Sequence, residues 1–180
     1  MDFELFAEMK HLPESQPESL FSDVSYLHCS SQSIALRIRL CAIANSLHTS
    51  ATLQDVLHDE QSVHTALARI PKWKEPHTLL THILLDLQLR QFIVILHTQR
   101  ALSSQLSIGS EHQYSSLMAL DASTALIDRH IELMDTNSFA LCCIRSDHLR
   151  ASLLICHIAY HATITSSKLL CITTWILKKN

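Results

Sequence analysis

The chain contains a single glycine, Gly109, among 180 residues. Average usage would give roughly 13 in this length. Tight hairpins, β-bulges and phosphate-cradling loops rely on positive φ or close backbone approach, which glycine supplies at least cost. A chain with one glycine can build few of them. This weighs against β-rich folds, nucleotide-binding α/β folds and P-loops together, and it points to an all-α fold. Proline is confined to two places, Pro13 with Pro17 and Pro71 with Pro76, and both read as breaks.

Charge and cysteine usage narrow the function classes. Charged residues make up 17% of the chain, against about 25% in average domains. Less surface than usual is therefore cheaply solvated, so the chain either buries much of itself or faces a partner. Net charge is −3 with no basic stripe. Direct nucleic-acid binding is not expected, because that affinity comes from neutralising phosphates. The acidic start Met1-Asp2-Phe3-Glu4 is not a signal peptide, and the six cysteines then read as reduced thiols of an intracellular protein.

Periodicity divides the chain into a linker-like segment, 1–33, and a helical domain, 34–180. A short helix is expected over Phe3–Met9. A Ser- and Pro-rich stretch follows and lays Leu20, Phe21 and Tyr26 on the body. A helix over Ile34–Leu47 offers two apolar stripes, Ile34/Ile38/Cys41 and Leu36/Leu40/Ile43/Leu47. The next, Leu53–Ile70, opens on a capping box of Thr52 and Asp55. Its apolar face is Leu53, Val56, Leu57, Val63, Leu67 and Ile70, with Asp55, Asp59, Glu60 and Gln61 mostly on the other. Pro71 to Pro76 end it. The segment Leu79–Leu102 is apolar almost all round, as a central helix is. Asp86, Gln88, Arg90 and Gln91 in its middle argue against a membrane span. A loop over Ser103–Gly109 leads to a helix from Ser110 to Met134, with Ser110 and Gln113 as a second capping box. An apolar piece at Phe139–Ile144 precedes a last helix over Leu149–Leu177, capped by Ser146 or Asp147. The whole reads as an irregular multi-helix array around the long central helix.

Four blocks, in order, resemble the fungal-specific transcription factor domain, the regulatory middle homology region of zinc binuclear cluster regulators. They are Tyr26-Leu27-His28 with Ala35 to Leu40, then Asp55-Val56-Leu57-His58 through Ile70-Pro71-Lys72-Trp73. Leu84 to His97 and Tyr114-Ser115 with Leu120-Asp121-Ala122 and Ile127 complete the set, across about residues 26–134. The resemblance implies a nuclear regulatory module that acts through a protein partner or a small-molecule effector. Thr98 and Gln99 stand where that family has a basic residue and a proline. The family's cysteine-rich DNA-binding cluster is absent, so the chain resembles an internal or truncated piece, and DNA binding does not carry over.

No constellation of residues forms a catalytic or metal site at sequence level, and no cofactor is implied. His157 and His161, beside Cys156, have a spacing zinc sites use, but no further ligand follows them. Cys142-Cys143 lack the C-x-x-C spacing of redox motifs. Thirteen histidines are scattered from His11 to His161. Asp86 and Arg90 read either as an intrahelical pair or as a buried pair marking a pocket. Trp73 reads as a plug between helices or a ligand-binding aromatic. His97 reads as a base or as a cation opposing the helix dipole. Two functions stay open: a regulatory and interaction domain, or a non-catalytic helical scaffold or membrane-associated protein. The apolar stretch Ala151–Leu177 motivates the second, and it is expected to pack on the central helix or to drive self-association.

Overall fold

The computed structural model describes residues 20–46, 52–102, 110–136 and 145–164. Among the described residues there are six α-helices and no strand: α1 Ser25–Gln32, α2 Ile34–Ala44, α3 Leu53–Ala68, α4 Leu79–Leu102, α5 Ser110–Asp135 and α6 Asp147–Ile164. The expected helix Phe3–Met9, loop Ser103–Gly109, apolar piece Phe139–Ile144 and far half of the last helix lie outside them.

Helix α4 is the axis of the fold and touches every other helix. Ile83, Leu85, Leu87, Leu89, Phe92, Ile93, Val94 and Leu96 are all buried. These positions point to all sides of the helix, so no single neighbour can cover them. Helix α5 provides the largest cover, and α3 lies on another side. Ser115, Ser116, Ala119, Ala122 and Ser123 are buried on α5 beside Leu120 and Leu126. Such small side chains leave room for two backbones to approach. Helix α6 packs chiefly on α5 through the buried Ala151, Leu154, Ile158 and Ala162. Among the described residues, α4 alone is long and apolar enough to cross a membrane, with a mean hydropathy of 1.6. Half of that window is buried, and it carries the Asp86–Arg90 pair.

Local signals explain the helix starts and stops. Both bonds of the expected capping box form: Asp55 N–H donates to Thr52 Oγ1 at 3.2 Å, and Thr52 N–H to Asp55 Oδ2 at 3.0 Å. The Thr52 hydroxyl, which donates to Asp55 Oδ2 at 2.6 Å, and then the Thr52 N–H hold the Asp55 carboxyl below its ordinary range. Asn45 closes α2, its side-chain amide donating to the Cys41 carbonyl at 2.8 Å. Pro71 ends the α3 segment, and a 3₁₀ turn, Pro76–Thr78, launches α4. Trp73 is half-buried against the core, edge-on to Phe21 with ring centroids 5.3 Å apart.

Three expectations need correction. Ser25–Gln32 was expected to be part of a linker and is helical; the serines there turn their hydroxyls to local partners, as Ser31 does to the His28 carbonyl. Of the two α2 stripes, Leu36/Leu40/Ile43 faces inward, while Ile34 and Ile38 are exposed. The inward stripe is the richer in large aliphatic side chains, and Arg39 reaches Asp59 on α3 at 2.6 Å. On α3 itself, Asp59 and Glu60 are buried rather than solvated, and Leu57 is exposed.

Leu89→Ala is expected to cost about 2–5 kcal/mol, the range for opening a core cavity. Ile38→Ala, on the exposed stripe of α2, should stay within about 0.5 kcal/mol. Denaturant titration of both variants checks the assignment of core and surface.

Candidate functional site

Among the described residues, besides the Arg39–Asp59 pair, three buried polar knots interrupt the apolar core, each joining different helices. The first centres on Glu60 of α3. Val56, Glu60 and Val63 follow i, i+4, i+7 spacing, so Glu60 lies on the core stripe. The Tyr114 hydroxyl of α5 donates to Glu60 Oε2 at 3.2 Å. His97 of α4, fully buried, brings Nε2 to 3.3 Å from the same oxygen. That approach is misaligned for a hydrogen bond, so the contact is electrostatic. Burial pushes His97 below the ordinary histidine value, and the nearby carboxylate only partly opposes this. Burial, reinforced by Glu60, raises the Tyr114 phenol. His97 is thus buried where its charged form is disfavoured, which speaks against the reading of a cation opposing the helix dipole.

The second knot is Asp86 with Arg90, both on α4. Arg90 Nε donates to Oδ1 at 2.7 Å and an Nη to Oδ2 at 2.8 Å, a bidentate pair. Asp86 is buried, and Arg129 of α5 stands 3.7 Å from Oδ1. The pair is therefore both intrahelical and a tie between α4 and α5.

The third knot joins α5 to α6. His130 Nε2 lies 3.0 Å from Asp147 Oδ1, both residues buried. Arg145 donates its Nε to Asp147 Oδ2 at 3.0 Å and a second nitrogen to the same oxygen. Burial alone would raise Asp147, but the His130 and Arg145 contacts outweigh it and hold the carboxyl well below its ordinary range. His148 adds a ring whose centroid is 5.3 Å from that of His130. Together His130, Asp147 and His148 present three ligand-type atoms within 4.8 Å of one another. Sequence reading had singled out Asp147 only as a cap. The missed signal is that His130 continues the stripe Leu126–His130–Leu133.

The other pair considered for metal, His157 and His161 on α6, has ring centroids 4.3 Å apart, with Cys156 exposed beside it. Burial, then the neighbouring His161, lowers His157. Cys142 and Cys143 lie outside the described residues.

Two adjoining clefts open beside this frame. One, of about 590 Å³, is lined mostly by apolar atoms and includes Leu102, Leu153, Leu154 and His157. The other, of about 460 Å³, lies against Phe92, Ile95 and α2. Thr98 and Arg150 belong to both. No described knot places a nucleophile beside a base within these clefts.

The knots set the pH response. The unfolded chain protonates His97 near the ordinary value of about 6.5, the folded chain only below it, so acidification through that value favours unfolding. Asp147 acts with the opposite charge in a lower window. Its lowered value stabilises the fold above about pH 4, and this contribution is lost as pH falls further. The melting temperature should drop between about pH 7.5 and 5.5, with a smaller drop in His97→Gln. Glu60→Ala, which strips His97 and Tyr114 of their partner, should cost about 1–3 kcal/mol at neutral pH. Thermal melts across pH read both effects. Comparison with protein families, curated proteins and solved structures found no match for the chain.

Proposed function

We propose that the chain is a non-catalytic regulatory and interaction domain, of the kind found in fungal transcription factors. It would control transcription in the nucleus through a protein partner or a small-molecule effector, not by touching DNA. The observation that carries this reading is the pair of clefts joined at Thr98 and Arg150. Their volumes, about 590 and 460 Å³, lie in the range of ligand sites. A mostly apolar wall with one cation and one hydroxyl at the junction suits an apolar effector or side chain carrying an anionic or carbonyl group.

Supporting this, the blocks that carry the family resemblance fall on α1 through α5 in chain order. The buried titratable groups pair across helices and so serve the frame, which leaves the cleft for recognition. Leu153 on the cleft wall is 70% exposed, and Leu149 and Tyr160 on the same helix are also open. Large apolar side chains left open in this way suit a partner or an effector.

The test tethers the chain to a reporter promoter through a foreign DNA-binding domain. Reporter output should change on tethering and revert with Leu153→Asp, while far-UV circular dichroism of that variant stays helical. The isolated chain should show no salt-sensitive binding to duplex DNA. A reporter indifferent to the tethered chain, or tight DNA binding by the chain alone, would contradict the proposal.

A further inference from the structure

We propose that His130, Asp147 and His148 form a binding site for a zinc-type divalent cation that clasps α6 onto α5. The three residues come from the inner face of one helix and the first turn of the next. Their ligand atoms lie within 4.8 Å of one another, and the His130 Nε2–Asp147 Oδ1 pair is at 3.0 Å. Zinc takes imidazole nitrogen and carboxylate oxygen at about 2.0–2.2 Å, which puts tetrahedral ligands about 3.3 Å apart. The His130–Asp147 edge already approaches that separation. His148 is half-buried, and closing the remaining distance would take a turn of its ring.

Two features separate this cluster from an ordinary buried ion pair. The Nδ1 of His148 is shielded from solvent and makes no hydrogen bond, so a donor atom of the right type stands unused beside the pair. Asp147 also divides its oxygens between two tasks. Oδ2 is taken by Arg145, while Oδ1 faces His130 and accepts the His148 backbone N–H at 3.2 Å, which leaves a carboxylate lone pair for a cation. A cation on Oδ1 would keep Arg145 on the outer oxygen, the outer-shell arrangement that orients ligating carboxylates. An ion between Nε2 and Oδ1 would displace the proton on that edge, which moves to Nδ1 of a neutral ring or, from an imidazolium, passes to solvent. Both histidines bind as neutral imidazoles, so affinity rises with pH. Water would complete the fourth position. Arg145 limits affinity by its charge, while the two imidazole donors favour borderline metals over magnesium or calcium, which seek oxygen cages.

The site shares no residue with the cleft, so metal binding by these three residues is read separately from the proposed interaction function. The experiment titrates zinc chloride into the full, reduced chain at pH 7.5 and follows the melting temperature, with a fluorescent chelator competing for the metal. Wild type and the surface control His58→Gln should gain melting temperature together and bind zinc with equal affinity. His148→Gln should fold normally without metal and bind at least tenfold more weakly, since even outer-shell losses cost about 10–100-fold. His130→Gln should also lose binding. Because that buried variant can fail to fold, the half-buried His148 carries the decision. Zinc binding unchanged in His148→Gln would assign the metal to other histidines or cysteines and overturn the proposal. So would the absence of a zinc-dependent rise in wild type.

Discussion

Burying one 24-residue helix on nearly every side is the constraint on which the rest of the fold depends. Helix α4 spans about 36 Å and carries buried apolar side chains on all its sides. No single partner helix covers more than a stripe of it. The chain therefore has to wrap, and α1, α2, α3, α5 and α6 each take a lane. Hydrophobic burial drives that wrapping but is non-directional. It does not say where along α4 each neighbour stops.

The polar knots supply that address. Glu60, Asp86 and Asp147 are acids on core-facing positions, and each meets a cation or a histidine on another helix. Such pairs contribute little net stability, because desolvation offsets the attraction. Breaking one is costly, since it strands a buried charge. A helix that slipped by one turn would strand it in the same way. The knots thus fix register for α3, α5 and α6 against α4 and against each other. The small side chains of α5 let Arg129 come within reach of Asp86 across the closest helix pair.

Much of this was legible in the sequence because helices announce themselves through period and breaks. The span of α4 is Leu79–Leu102 in both sequence and structure, set by the 3₁₀ turn at Pro76 before it. The Thr52–Asp55 box marked the start of α3. Less legible was which polar residues sit inside. Glu60 and His130 occupy apolar stripes, but their partners are 54 and 17 residues away in sequence. Only the packing of separate helices brings such pairs together, so one helix's pattern cannot show whether the acid has a partner. Both stripes of α2 are apolar, and the one with more large aliphatic side chains, Leu36, Leu40 and Ile43, is the one that faces inward. Helix α1 was hidden by its serines, which favour turns in isolation and are held helical here by Arg37, bonded to the Ser30 carbonyl at 2.9 Å.

The most direct test of a central α4 is native-state amide hydrogen exchange resolved by residue. Amides from Ile83 to Leu96 should exchange slowest in the molecule, at a free energy near that of global unfolding, because exposing them requires every neighbour to leave. Amides of α2, whose Ile34 and Ile38 face solvent, should exchange through smaller openings. If α4 exchanges as fast as α2, the helix is peripheral and the account fails.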